Sequence, residues 1–124
     1  MVHPDFTILL VDNPSASAAF YRELLDAEPV ENSPTFVLFV LTTGLKLGLW
    51  SRHTAQPPVT GQSGGAEVCF RLDSAVDVDR TYADWTQRGL RVLQTPVEMD
   101  FGDTFVVTDP DAHRLRVYAR TSLS

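Results

Sequence analysis

The chain has 124 residues, of which 44% are hydrophobic and 21% charged, and its formal net charge is -6. This length indicates one domain, and the acidic balance excludes nucleic-acid binding through clustered lysine and arginine. The single cysteine, Cys69, excludes an intrachain disulfide, and there is neither a leader-like start nor the run of roughly 20 apolar residues that spans a membrane.

The first half of the sequence alternates between apolar runs and turn-forming residues. Its predicted elements, in chain order, are a strand over 6–11, a helix over 17–25 and a hairpin of two strands over 35–41 and 45–50. Phe20 and Leu24 recur at helical spacing, and Pro29 prevents that helix from continuing far. Turn and helix-start residues at 12–15 separate the first strand from the helix.

The second half repeats this order after a connector over 51–65 that is rich in Ser, Gln, Pro and Gly. Its predicted elements are a strand over 66–72, a helix over 76–88 and strands over 91–94, 104–108 and 115–118. Ser74 is suited to cap the helix and Gly89 to end it. Tyr82 and Trp85 share one face of that helix, which predicts that Trp85 packs in the core.

The sequence thus contains one pattern twice: a strand, a helix and about three strands, displaced by roughly sixty to seventy residues. Such duplication predicts two similar half-barrels and excludes a doubly wound sheet. Within one domain spanning 1–124, we assign the first module to 1–51, a connector to 52–65 and the second module to 66–120. A domain of this size buries a limited core, which favours a homodimer. We expect a cytoplasmic protein, complete from residue 1, with neither nucleic acid nor a membrane as partner.

Two segments carry a resemblance to a known family. They are Leu10–Pro14 followed by Ala18–Leu25, and Phe105–His113 near the end of the sequence. With the paired modules, they make the chain similar to the vicinal-oxygen-chelate superfamily, which contains glyoxalase I, extradiol dioxygenases and the bleomycin, fosfomycin and phenazine resistance proteins. Further segments resemble the phenazine-resistance branch in particular, at 49–51, 77–79, 85–86 and 101–105.

The resemblance implies an α+β fold in which two βαβββ modules form cup-shaped mixed sheets. In this family two modules face each other, within one chain or between chains, so that a homodimer carries two clefts. Its enzymes hold a divalent metal through residues on the first and last strand of each module. Counting from the turns places these positions at Phe6, Gly48, Glu67 and Arg116. One is a carboxylate and one a permanent cation that would repel a metal ion, so we expect neither a metal nor another cofactor.

Side-chain alternation along the strands predicts what lies beside these four positions. The residues expected on the same face are Ile8, Leu10, Lys46, Trp50, Cys69, Arg71, Arg114 and Tyr118. The residues of opposite parity are more uniformly apolar, as a face beneath helices should be: Leu47, Leu49, Val68, Phe70, Leu115 and Val117. The matched places of Glu67 and Arg116 predict an ion pair between them, which either orients a ligand or only neutralises itself.

A cleft with this lining is apolar and aromatic with a few charges, which suits a flat organic molecule. As the resemblance to phenazine-resistance proteins implies, we predict a non-enzymatic protein that sequesters a planar, antibiotic-like aromatic compound. Trp50 either stacks on that ligand or packs at a strand end or a dimer seam. The predicted ligand-binding residues are Phe6, Ile8, Trp50, His53, Glu67, Cys69, Phe101, Arg116 and Tyr118, and no residue is assigned a catalytic role.

Several alternatives stay open at this point. A divergent metal-dependent lyase or dioxygenase would recruit Glu67, a histidine and a further donor, and a cofactor-independent enzyme would use Glu67 as a base. Cys69 is either a nucleophile or, as we favour, a small buried thiol. Phe101 and Met99, beside Gly102, predict a loop that closes over the cleft, or else a hydrophobic anchor for that loop.

Overall fold

The computed structural model describes residues 2–120, and the chain divides into two compact units after Gly61. The first unit contains β1 (Phe6–Val11), α1 (Pro14–Leu25), β2 (Glu31–Asn32), β3 (Phe36–Val40) and β4 (Lys46–Ser51). The second unit contains β5 (Glu67–Arg71), α2 (Ala75–Gln87), β6 (Arg91–Met99), β7 (Gly102–Thr108) and β8 (Arg114–Arg120). Each unit therefore has the order βαβββ, which confirms the predicted duplication.

The two units contain sheets of the same topology. The strand order is β1-β4-β3-β2 in the first and β5-β8-β7-β6 in the second. In each sheet the first and last strands of the unit pair in parallel, whereas the other neighbours are antiparallel. Both sheets are therefore mixed, and the predicted α+β class is confirmed.

Several elements differ from the predicted ones, and three of the differences have identifiable reasons. Helix α1 begins at Pro14 rather than at residue 17, because the Asn13 side chain accepts a hydrogen bond from the Ala16 amide and proline suits the first turn. Strand β2 has two exposed polar residues and so lacks an apolar signal. Strand β6 continues to Met99, past Pro96, through two irregularities of register.

Each helix covers one face of its own sheet. In the first unit, Tyr21 of α1 and Phe39 of β3 are fully buried. In the second, the Trp85 ring contacts those of Phe70 and Phe105 edge-on, at centroid distances of 5.5 and 5.7 Å. Trp85 is therefore a core residue, as its helical spacing predicted. The residues predicted to lie beneath the helices are buried in two of the three strands. The buried ones are Leu47 and Leu49 in β4 and Leu115 and Val117 in β8, whereas Val68 and Phe70 in β5 are half-buried.

Candidate ligand-binding cleft

The face of the second sheet opposite α2 carries charged and aromatic side chains in rows across the strands. Glu67 of β5 pairs in register with Arg114 of β8, Cys69 pairs with Arg116, and Arg71 pairs with Tyr118. Since side chains on one face alternate along each strand, these six residues share a face, as predicted. Their neighbours of opposite parity on β8 are fully buried, which fixes the orientation of the strand.

Glu67 and Arg116 form a bidentate ion pair on this face. The Arg116 Nε atom donates to Glu67 Oε1 at 2.7 Å, and Nη2 donates to Glu67 Oε2 at 3.1 Å. Arg114 Nη2 lies 2.6 Å from the same Oε2 atom. The predicted ion pair is confirmed, with a second arginine on the same carboxylate. Parallel N–H donors of a guanidinium matched to two carboxylate oxygens give the arrangement a defined geometry.

Two residues that were not predicted complete the coordination of Arg116. Its Nη1 atom donates to Gln94 Oε1 at 3.2 Å and to Thr104 Oγ1 at 3.1 Å, and the Thr104 hydroxyl donates to the Val117 carbonyl at 2.8 Å. Thr104 is fully buried. Alternation along the predicted strand over 104–108 was the available signal for Thr104. Gln94 lies between the two irregularities of β6, which the sequence does not reveal.

This environment shifts the pKa values of Glu67 and Cys69 in opposite directions. The hydrogen bond from Arg116 lowers the pKa of Glu67 below its ordinary value of 4.5, against a smaller opposing effect of burial, and the charges of Arg116 and Arg114 add to the lowering. Glu67 is therefore a carboxylate at neutral pH and a poor general base. Desolvation, reinforced by the negative charge of Glu67, raises the pKa of the Cys69 thiol.

An open cleft of about 600 Å³ lies over this part of the sheet. Its lining consists of Glu67, Cys69, Met99, Phe101, Arg116, Tyr118 and Arg120. The Phe101 and Tyr118 rings meet edge-on at 6.1 Å, and the Arg116 guanidinium lies 5.8 Å from the centre of the Phe101 ring. The cleft therefore offers two aromatic rings beside a fixed ion pair, a lining suited to an organic ligand with a polar substituent.

The segment predicted as a closing loop is instead a tight connection between two strands. Phe101 lies between β6, which ends at Met99, and β7, which begins at Gly102. Gly102 has a φ of +140°, and a Cβ atom there would lie 1.9 Å from the Ala119 carbonyl oxygen. The turn is thus held against β8, so Phe101 is a half-buried wall of the cleft. The expectation of a loop was wrong because β6 and β7 both extend further than predicted.

The favoured prediction of a buried thiol at Cys69 was also wrong. Cys69 is exposed and lines the cleft. His53, also predicted to contact ligand, follows β4 in the first unit, where its Nε2 atom lies 2.6 Å from Asp12 Oδ1. Both side chains of that pair are largely exposed.

The remaining predicted ligand contacts lie on one face of the first sheet. Phe6 and Ile8 of β1 are 41% and 40% exposed, and Trp50 of β4 is half-buried, paired in register with Leu10. Gly48 is the counterpart of Arg116 by register. Gly48 lies two residues beyond the strand partner of Phe6, and Arg116 lies two residues beyond the strand partner of Glu67. This face is therefore apolar at Phe6 and Gly48, where the second sheet has Glu67 and Arg116, whereas Lys46 and Arg114 are both cations.

Comparison with known proteins identifies the family. The sequence profile of the glyoxalase/bleomycin resistance protein/dioxygenase superfamily matches residues 3–117. This chain belongs to that superfamily. It is 30% identical over 119 residues to the phenazine antibiotic resistance protein EhpR of Enterobacter agglomerans, a match that covers 94% of this chain and 91% of that protein. The resemblance stated from sequence is thus confirmed.

Two solved structures share their fold with nearly the whole chain. A protein of Agrobacterium tumefaciens, solved by NMR in solution, is 56% identical and superposes with a TM-score of 0.91, covering 98% of this chain and 100% of that chain. A glyoxalase-related enzyme from Fulvimarina pelagi is 19% identical and has a TM-score of 0.83, covering 97% of this chain and 89% of that chain. The second likeness concerns the fold alone. Neither helix within residues 2–120 is long and apolar enough to cross a membrane.

Enzymes of this superfamily use a divalent metal, but the residues at the corresponding positions of this chain do not fit one. Both oxygens of Glu67 are bonded to arginines, and the other three positions are Phe6, Gly48 and Arg116. Throughout residues 2–120, no three His, Cys, Asp or Glu side chains cluster as a metal site would require. The donor chemistry around Glu67 is that of an ion pair.

Proposed function

We propose that this protein binds a planar aromatic compound noncovalently, in the manner of a drug-sequestering member of its superfamily. The observation that carries the proposal is the Glu67–Arg116 ion pair at the position of metal ligands, next to the Phe101 and Tyr118 rings in an open cleft. A guanidinium there repels a metal ion, whereas the rings offer apolar surface to a flat ligand. The similarity to a phenazine antibiotic resistance protein supports phenazines as the first ligands to test.

The division of roles within the cleft follows from its contacts. Phe101 and Tyr118 provide stacking surface, and the adjacent Met99 side chain adapts to ligand shape through its flexible thioether. Arg116 and Glu67 fix the polar wall and leave few donors and acceptors unused. The predicted contacts of the first unit, including Phe6, Ile8, His53 and Trp50, are part of this proposal, as are a homodimer, a cytoplasmic location and the absence of a metal.

Titration with phenazine-1-carboxylate, followed by calorimetry and tryptophan fluorescence, tests the proposal. Phe101→Ala and Tyr118→Ala should each weaken binding at least about fivefold, since an aromatic contact contributes about 1 kcal/mol beyond buried area. Val76→Ala on the exposed surface of α2 is the matched control and should leave affinity unchanged. The stacking role of Trp50 is tested by Trp50→Ala in the same titration. Unchanged affinity in both cleft variants contradicts the site.

Two further measurements separate binding from catalysis. Elemental analysis of protein purified without chelator should find no stoichiometric iron, zinc, nickel or manganese, and mass spectrometry of the recovered ligand should find it unaltered. A stoichiometric metal or a changed ligand would favour a lyase or dioxygenase instead. Sedimentation velocity of the same sample tests the homodimer.

A further inference from the structure

The cleft face of the second sheet has an excess of positive charge. Five of the ten Lys and Arg residues of the chain lie on this one face by register, in a protein whose formal net charge is -6. They are Arg71 of β5, Arg91 of β6, and Arg114, Arg116 and Arg120 of β8. Glu67, on the same face, offsets one of them and leaves four positive charges. The cleft face is therefore positively charged although the whole chain has a net negative charge.

The arginines differ in how many of their side-chain donors are bonded to other residues of the protein. Arg116 donates to Glu67, Gln94 and Thr104, and its side chain is 15% exposed. Arg114 is bound to Glu67. Arg120 lines the cleft and is exposed, and its side chain makes neither a hydrogen bond nor an ion pair with another residue in the described range 2–120. Arg120 is thus the cation of the cleft lining with donors available to a ligand.

The position of Arg120 suits an acidic substituent on a flat ligand. Arg120 pairs in register with Gly102, which in turn pairs with Met99, so Arg120 and Met99 flank a residue without a side chain. Tyr118 lies two residues earlier on the same face of β8. A ring system placed against Phe101 and Tyr118 therefore has the Arg120 guanidinium at its margin.

Nearby acidic residues line an adjoining depression. Glu98 and Asp100 lie in this hollow of about 560 Å³, together with Gln94 and Val97, and the walls that it shares with the cleft are Met99 and Phe101. Glu98 and Asp100 are absent from the lining of the Arg116 cleft within the described chain. An anion is therefore favoured on the Arg120 side of Phe101 and disfavoured on the side of Glu98 and Asp100.

We propose that the cleft selects aromatic ligands that carry a carboxylate, and that Arg120 binds this group. This inference rests on the proposed function and specifies its ligand class. A guanidinium and a carboxylate form two parallel charge-assisted hydrogen bonds, roughly twice as strong as neutral ones. Arg116 acts as a positioning residue, because its donors are already used by the protein.

The test compares two ligands of nearly equal shape, phenazine-1-carboxylate and phenazine-1-carboxamide, by calorimetry at pH 7.5. Wild-type protein should bind the carboxylate at least about tenfold more tightly, as expected for a charge-assisted pair. Arg120→Gln should reduce the preference to within twofold, by weakening binding of the carboxylate far more than binding of the carboxamide. Arg80→Gln on the exposed surface of α2 removes the same charge and should retain the preference.

The outcomes distinguish this inference from the proposed function. Equal binding of both compounds by wild-type protein overturns the selection of carboxylates but leaves the proposed function standing. An equal loss of preference in Arg80→Gln, or a loss in Arg71→Gln and not in Arg120→Gln, overturns the assignment of Arg120. Binding of neither compound overturns both proposals for phenazines.

Discussion

Replacing Glu67 by glutamine tests the ion pair at the centre of the cleft. The substitution keeps the shape of the side chain but leaves Arg114 and Arg116 without their shared counter-charge. The Glu67 and Arg116 side chains are 24% and 15% exposed, so the burial of this pair is intermediate between that of a surface ion pair and that of a fully buried one. Surface pairs contribute about 0–1 kcal/mol and breaking a buried pair costs about 3–5 kcal/mol, so we expect a loss of about 2 kcal/mol.

Urea denaturation and thermal melting measure this loss. About 2 kcal/mol corresponds to a decrease in Tm of about 8 °C for a chain of this size. Asp5→Asn is the matched control, because Asp5 makes an exposed 3.3 Å pair with Lys46 in the first unit. That variant should lose no more than about 0.5 kcal/mol. Equal destabilisation of the two variants would refute the reasoning that burial of the Glu67 pair sets its contribution.

Wild-type protein and Glu67→Gln also give a test of how stability depends on pH. The folded-state pKa of Glu67 lies below its ordinary value of 4.5, so its contribution is complete above that value and is lost as the pH falls through the folded pKa. The difference in stability between wild type and Glu67→Gln should be constant from about pH 5 to 8 and shrink in more acidic solution. A difference that grows below pH 4.5 contradicts the assigned protonation state.

Three further substitutions or reactions test the surroundings of the cleft. Gly102→Ala should lower the free energy of unfolding by at least about 3 kcal/mol, because its Cβ atom would lie 1.9 Å from a backbone oxygen at a φ of +140°. Gly65→Ala is the control in the same denaturation assay and should be near neutral, because nothing lies within 4 Å of its Cβ position. Cys69 should react with iodoacetamide at pH 7.5 more slowly than a free cysteine peptide, because its raised pKa reduces the thiolate fraction; faster reaction would contradict the shift. Phe105→Ala, which removes a fully buried ring from contact with Trp85, should lower the free energy of unfolding by about 3–5 kcal/mol, and a loss below about 1 kcal/mol would contradict its place in the core.

Sequence periodicity predicts the parts of the site that lie on regular strands. Alternation along two strands places Glu67 and Arg116 on one face, and the structure confirms their pairing. The same reasoning would have reached Arg120, had the predicted last strand continued past Tyr118. Period-two patterns are reliable here because one face of each sheet is buried by a helix, so that a slip of one residue would expose the core.

Features that depend on irregular backbone were not predictable in this way. Gln94 reaches Arg116 only because β6 shifts register between Val92 and Val97. Met99 enters the cleft because that strand continues beyond Pro96, which by itself suggests an end or an edge. A bulge redirects the side chains that follow it, and composition alone does not reveal its position.

The two halves of the duplicated chain depart from a metal site in chemically different ways. In the second unit the corresponding residues are Glu67 and Arg116, which satisfy each other's charge. In the first unit they are Phe6 and Gly48, and a Cβ atom on Gly48 would lie 2.9 Å from the Phe6 ring and 3.1 Å from the Phe36 ring. A donor side chain at residue 48 would therefore have to displace aromatic rings, and in the second unit a donor at residue 116 would remove the counter-charge of Glu67. Because the obstacles are steric in one unit and electrostatic in the other, no single substitution would create a metal site at these positions.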